Sequence, residues 1–351
     1  MEKQAILPIE PKHTQSWAKY NLAKCNEKLL FYELLYDLAK IIKEPEYQFG
    51  RPAIPLKDMF FSCGLKLYSN YSGRKIMSDL RRAEDAGYIS HKPHFNTIKD
   101  FLNCPATYDL LLKMLTLSAM PLRKLEDQYS IDSSGFGSYS QERWNKVKWG
   151  KRKESFRNYM KGHIIIGTRT NIICGCDITP GNFSDAKQAP AVIYQAGLNF
   201  KMKEFSADKA YSSKLIYRIL ESLKCMPYIP FKYNTKKPDK NSPELWNKMF
   251  LIFRDRKDEF MKKYHKRSNI ETTFAMIKLR LGEYLKSKNY TAQRNELIMK
   301  FICHNICCLI EEIYEHNVQI DFRKMLKCYV EKETPTELKG RSSEEVENED
   351  F

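Results

Sequence analysis

Apolar residues recur at helical spacing through the first part of the chain. Trp17, Leu29, Leu30, Leu34, Leu35, Leu38 and Ile41 follow one another at helical steps, and so do Met59, Phe60, Cys63, Leu65 and Leu67. The pattern predicts a further helix from about Ser72 to Ala86, closed by Gly87 as a natural cap. Asn96 or Thr97 can cap a short helix ending at Leu102, and Pro105 opens another that runs through Leu117. Several short helices joined by tight turns, over residues 1–127, suit a helix-turn-helix-like DNA-binding unit. An all-helical structural or dimerisation domain has the same pattern.

After Leu125 the period changes. Tyr129–Asp132 reads as a strand followed by a basic loop, and Gly162–Ile166 with Ile172–Ile178 reads as a hairpin turning near Arg169–Asn171. A helix is expected from Ser184 to about Ala196, a strand over Lys203–Ala207, a helix over Ser213–Lys224 and a strand over Met226–Phe231. A polar loop through Asn234–Pro243 leads into helices that continue to about Glu315. The order predicts a mixed α/β domain over residues 128–315, with a C-terminal segment 316–351 after it.

Composition narrows the class. A chain of 351 residues, 42% of them hydrophobic, has enough apolar surface for a sizeable core. Ten scattered cysteines are too thin for a disulfide scaffold, so a reduced, cytoplasmic protein is expected. Met1–Lys12 holds no apolar leader, and the most apolar run, Phe301–Ile310, is far short of the roughly 20 residues that a membrane span needs. Secreted and membrane classes are set aside. Lysine and arginine number 59 against 43 acids, a net charge of +16 that points toward a polyanion such as nucleic acid. Residues 331–351 carry eight acids and three bases, so the net positive charge lies entirely in the body of the chain. That acidic, nearly non-apolar tail has a disorder-type composition.

Three carboxylates stand out by position. Asp132 follows the apolar start of the first strand, Asp208 ends another strand, and Glu271 lies in a strongly helical segment. Taken singly each could be a turn or surface acid. On one helix, however, Tyr264, Arg267, Glu271 and Lys278 fall within a sector of about 60°. Beside them Ile270, Phe274, Ile277, Leu281 and Tyr284 form an apolar stripe that can pack on a sheet. An exposed Arg267–Glu271 pair accounts for two of the four polar residues but not for the alignment of Tyr264 and Lys278. Three carboxylates meeting at one point repel one another unless cations neutralise them. Hard divalent ions take oxygen ligands, and two of them about 4 Å apart stabilise both oxygens of an in-line phosphoryl displacement. The loop after the first strand fits a phosphate-bearing substrate. Arg143, Lys146, Lys148, Lys151, Arg152, Lys153, Arg157 and Lys161 are interleaved with Trp144, Trp149, Phe156 and Tyr159. Bases neutralise phosphates, and aromatic faces can stack on unpaired bases.

With these residues in view the chain resembles the DDE transposases of insertion sequences. Tyr129-Ser-Ile-Asp132-Ser-Ser-Gly135 looks like their first-aspartate strand, and Ser206-Ala-Asp208-Lys-Ala-Tyr211 like their second-aspartate block. Tyr264, Arg267, Glu271 and Lys278 fit the family's Tyr-x2-Arg-x3-Glu-x6-Lys signature at every spacing, and Thr179–Asp185 is similar to the segment that leads into the domain's first helix. The likeness covers roughly Tyr129 to Ile310, with a weaker one around His94–Thr97. It implies a ribonuclease-H-like mixed sheet flanked by helices, preceded by an all-helical N-terminal domain. It also implies that Asp132, Asp208 and Glu271 hold two Mg²⁺ or Mn²⁺ ions, and that Tyr264, Arg267 and Lys278 contact phosphates at the element's ends. Lys148, Lys151, Arg152, Lys153 and Arg157 are the further DNA contacts expected. Terminal inverted repeats and target DNA would be the partners, with two protomers acting together in the nucleoid. Ala210 departs from the glycine often found in the second block. The interval before Glu271 leaves room only for a short helical insertion at about residues 232–262.

Two other readings stay open: a transposase-derived DNA-binding protein without mobility, and a ribonuclease-H-like nuclease that cuts without joining. Cys303, His304, Cys307 and Cys308 sit in an apolar helical run and read as core, and Cys174-x-Cys176 lacks the second pair that zinc needs. His163 is expected either near Asp132 across the sheet or as a structural histidine.

Overall fold

The computed structural model describes residues 16–46, 49–50, 52–138, 159–233, 235, 240 and 242–330. Lys148, Lys151, Arg152, Lys153 and Arg157, with most of the basic loop, lie outside the described residues, as does the acidic tail. Among the described residues five helices come first: α1 (Trp17–Ala39), α2 (Leu56–Tyr68), α3 (Met77–Asp85), α4 (Phe95–Asn103) and α5 (Thr107–Ala119). In α1 the buried side chains Phe31, Leu34, Leu35 and Leu38 make one apolar stripe. Gly87, at φ +78°, closes α3 in a Schellman turn. Its own N–H reaches the carbonyl of Glu84, and that of Tyr88 reaches Ala83. The helix expected from Ser72 begins only at Met77, after a turn. In place of Asn96 or Thr97, His94 caps α4, its Nδ1 accepting the Asn96 N–H at 3.3 Å.

The sheet is built around β1 (Gln128–Ser138). β2 (Tyr159–Gly167) runs antiparallel to it, and β3 (Ile173–Pro180) antiparallel to β2. On the other side β4 (Glu204–Ala207) and β5 (Met226–Tyr228) run parallel, giving the order β3-β2-β1-β4-β5. A short β6 (Tyr284–Leu285) pairs with the far end of β1. Strand β1 is more than twice as long as the run Tyr129–Asp132 suggests, because β2 pairs with it as far as Gly137. Strand β5 stops three residues before Phe231. Its partner β4 ends at Ala207, and Pro230 has no N–H to continue the ladder. Phe231 instead joins a cluster with Tyr217, Trp246, Phe250 and Phe253.

Helices cover both faces of the sheet. α6 (Asp185–Asn199) lays Val192 and Ala196 over Gly175, while Phe301 and Leu297 lie over Gly162 on the other face. The intervening helices are α7 (Lys214–Ser222), α8 (Glu244–Asp255) and α9 (Lys257–Tyr264). The single helix expected around Glu271 is broken: a 3-10 turn at His265–Arg267 separates α9 from α10 (Ser268–Leu281). Gly282, at φ +83°, ends α10, so Tyr284 leaves the apolar stripe and stands half-exposed in β6.

The long α11 (Tyr290–His316) is buried along most of its length and packs on α1, α2, α4 and α5 as well as on β3. Its polar residues fasten it to its neighbours. Asn305 donates to Ser118 Oγ and exchanges two hydrogen bonds with the backbone of Ile173. Glu296 accepts the N–H groups of Lys286 and Ser287, and Lys300 donates to the carbonyls of Gly282 and Tyr284. α12 (Phe322–Cys328) closes the described chain. No helix among the described residues is long and apolar enough to cross a membrane.

Candidate active site

Side chains alternate across a strand, so Asp132, Ser134 and Phe136 share one face of β1. α10 and the turn before it lie along that face. Arg267 Nη2 donates to Asp132 Oδ2 at 2.9 Å, Lys278 Nζ donates to Ser134 Oγ at 2.8 Å, and the Phe274 ring stands 6.4 Å from that of Phe136. Lys278 Nζ also sits 5.2 Å above the Phe136 ring. The helix turns its apolar stripe inward: Ile270, Phe274, Ile277 and Leu281 are all buried. The polar stripe is thereby held against β1 just beyond the point where β4 stops pairing with it.

Arg267 is the junction of the site. Its second terminal nitrogen donates to Glu271 Oε1, also at 2.9 Å, so one guanidinium bridges two carboxylates. The carboxylates differ in setting. Asp132 is 21% exposed at its side chain and accepts the Ser133 N–H, whereas Glu271 is 62% exposed. Burial pushes the Asp132 carboxyl above its ordinary range. The Ser133 amide and Arg267 oppose that shift, and the charges of Asp208 and Asp185 add to it.

Asp208 follows directly on β4, whose Ala207 pairs with Ile131 of β1, so the end of β4 sets Asp208 level with Asp132 in the middle of β1. Its side chain turns to accept the Lys209 N–H at the start of a 3-10 turn. Tyr264 is half-buried nearby. Burial raises its hydroxyl, Arg267 counters, and Asp208, Asp132 and Glu271 raise it further. Tyr264, Arg267, Glu271, Asp132 and Asp208 are therefore neighbours, and Lys278 stands further along the strand, on Ser134.

Other groups enter the site that sequence pattern does not place there. Asp185, the first residue of α6, lies 3.1 Å from Lys161 Nζ and 3.4 Å from His163 Nδ1. Its sequence signal is the segment Thr179–Asp185, which by likeness is only a lead into a helix. The register sets His163 opposite Ser133, one residue out of phase with Asp132. The imidazole is buried, bonds Thr179 Oγ1 at 2.8 Å and is kept neutral by burial, so of its two expected places it takes the structural one. Tyr211 is buried beside Asp132, where burial and that carboxylate raise its hydroxyl.

All the acids here offer hard oxygen donors, the chemistry that Mg²⁺ or Mn²⁺ takes. Among the described residues no three acids, histidines or cysteines close into a ready metal cluster, and Arg267 stands between Asp132 and Glu271. The donor set fits such an ion, with Arg267 as the group that would have to yield. The cysteine-rich run of α11 is core: Cys303, His304, Cys307 and Cys308 are buried, and burial pushes the Cys307 thiol up to about 12. Cys174 and Cys176 are likewise buried, with their thiols raised, and all ten cysteines are free.

Residues 123–306 match the family model described as "Transposase DDE domain". No curated protein and no solved structure matches the chain.

Proposed function

The chain belongs to the transposase DDE domain family, and on that premise we propose that it cuts DNA at the ends of an insertion sequence and joins the freed end to target DNA. The observation that carries the proposal is the bridge from Arg267 to both Asp132 and Glu271, with Asp208 beside Asp132 on the next strand. A structural ion pair needs one acid for one base. Two carboxylates on one guanidinium, with a third adjacent, concentrate negative charge where no packing requires it. The sheet order, with the antiparallel run β1–β2–β3 on one side of β1 and the parallel strands β4 and β5 on the other, supports a ribonuclease-H-like reading of the domain.

Asp132, Asp208 and Glu271 would hold Mg²⁺ or Mn²⁺, which when bound would supply an activated oxygen nucleophile and neutralise charge on the phosphate. The remaining residues position the substrate. Arg267 offers a planar, bidentate donor set suited to a phosphate once it is free of a carboxylate. Lys278, fixed by Ser134 and Phe136, places a cation along the same face, and Tyr264 adds a hydroxyl donor at its edge. Lys148, Lys151, Arg152, Lys153 and Arg157 are proposed as further backbone contacts. The N-terminal helices over residues 1–127 are proposed to bind the terminal inverted repeats, and two protomers to act on paired ends.

Asp132→Asn, Asp208→Asn and Glu271→Gln should each reduce metal-dependent cleavage at least about a hundredfold while leaving binding to end-containing DNA largely intact. Near-wild-type cleavage by any one of them removes that carboxylate from the assignment. A pre-cleaved end offered with target DNA tests the second step: joined products are expected, and cleavage without joining would make the chain a nuclease.

A further inference from the structure

A cleft of about 970 Å³ opens at the start of β1, at the end of the strand away from β6. Arg123 and Lys124 reach it from the segment before β1, Arg169 from the β2–β3 turn, Lys201 and Lys203 from the approach to β4, and Lys266 from the 3-10 turn. Two acids also line it, and both are engaged. Glu126 is buried and accepts the N–H groups of Arg169 and Thr170 and the hydroxyl of Thr170. Asp127 pairs with Lys203 at 3.3 Å. Arg123, Lys124 and Lys201 have no ion-pair partner among the described residues, and Lys266 donates to the neutral amide of Gln128. The cleft is therefore strongly positive, and its cations are spread over four separate segments.

We propose that this cleft grips the phosphodiester backbone of the duplex flanking the cut site. The inference rests on the reading of the chain as a DNA-cutting enzyme and extends it to a second contact surface. Chemistry favours backbone over bases: among the described residues no aromatic side chain lines the cleft to give unpaired bases a platform for stacking. Position favours a continuous track. Gln128, in the cleft wall, precedes Asp132 by a stretch of strand roughly 13 Å long at about 3.3 Å per residue. That length equals about four base-pair steps of a duplex. Lys266, in the cleft, is the chain neighbour of Arg267, which holds Asp132. A phosphate backbone leaving the carboxylates in this direction passes over Lys266 and enters the cleft. Contacts of this kind carry no sequence information, so the cleft supplies grip and register and leaves end recognition to other parts of the chain.

The test is a full-length triple variant, Arg123→Gln, Lys124→Gln and Lys201→Gln, three groups whose loss breaks no ion pair among the described residues. Binding to a fully paired duplex of arbitrary sequence is measured in chelator over a series of salt concentrations, with thermal unfolding as the check on the fold. Affinity at low salt should fall about ten- to a hundredfold. The slope of log K against log salt should become shallower by about two to three units, near 0.9 for each phosphate that is no longer neutralised. Unchanged affinity and slope would overturn the proposal. So would a single strand of the same length that binds more tightly than the duplex through the same three residues. Cutting is scored separately on wild-type protein. Normal cleavage with an unchanged slope sinks the cleft alone, whereas a cleft-dependent slope in a chain that never cuts sinks the enzymatic reading.

Discussion

Arg267 illustrates how far single residues are legible in a sequence. Its spacing from Glu271 predicts their pairing, and the two are bonded at 2.9 Å. Its second bond, to Asp132, spans 135 residues of sequence and is foreseeable only through the family likeness. Ser134 carries no signal of its own. It becomes visible only when the two-residue period of a strand is laid against the helix that crosses it, which pairs Asp132 with Arg267 and Ser134 with Lys278. Asp185 escapes for a similar reason, since a carboxylate at the first position of a helix reads as ordinary capping chemistry. His304 goes the other way, and its expected place in the core is the one it occupies. Its Nε2 bonds the carbonyl of Asn171, and burial holds its pKa at about 4 against an ordinary 6.5. The unfolded chain thus takes up a proton near pH 6.5 that the folded chain refuses until about pH 4. Stability should therefore fall as pH drops through that window, by up to about 1.4 kcal/mol per pH unit. Urea midpoints at pH 7 and pH 5 measure the loss, and His304→Gln should show a smaller one. Equal losses in both proteins would mean that the proton goes elsewhere.

At the scale of elements, the types are legible and several ends are not. Pattern stops β1 at Asp132 and leaves Gly135 and Gly137 to the loop that follows. In the fold both are strand residues, and a Cβ there would stand 2.9 Å from the Tyr159 ring or 3.0 Å from that of Tyr284. They are small because tyrosines cross over them, a fact invisible to local pattern. Consequently Asp132 lies in mid-strand, flanked on both sides by paired backbone. The break between α9 and α10 is hidden for the opposite reason, as three residues of 3-10 helix leave the hydrophobic period almost undisturbed. The fit of α11 to its neighbours depends on a few buried polar groups. Asn305 satisfies the N–H and C=O of Ile173 at the start of β3 while also reaching Ser118. Asn305→Ala leaves those groups unpaired in the core and should cost roughly 2–4 kcal/mol, read as a lowered urea midpoint. A shift below about 0.5 kcal/mol would mean that the backbone there finds other partners.

For the whole molecule, sequence period divides the chain near residue 127, yet the core runs across that line. One cluster of buried apolar side chains extends from Ala23 in α1 to Phe322 in α12. α11 is its spine, touching the N-terminal helices along one side and the sheet along the other. Periodicity changes where helices give way to strands, and it says nothing about which surfaces later meet. A fragment comprising residues 128–330 is expected to aggregate or to lack near-UV circular dichroism, because α11 would expose the face that α1, α2 and α5 cover. A soluble fragment with native-like near-UV signal would show instead that the sheet domain folds alone. The net charge is likewise better understood by place than by total, since Arg123, Lys124, Arg169, Lys201, Lys203 and Lys266 meet around one cleft.

The clasp that Glu296 and Lys300 make on residues 282–287 has a consequence for anyone who maps this protein genetically. That segment follows the helix bearing Glu271 and Lys278, and its β6 is hydrogen-bonded to the end of β1. Alleles altered at Glu296 or Lys300 would loosen the seat of the carboxylate site from the far side of the core. A screen for lost activity would collect them beside alleles of Asp132, Asp208 and Glu271, and on a linear map they would look like a second functional locus.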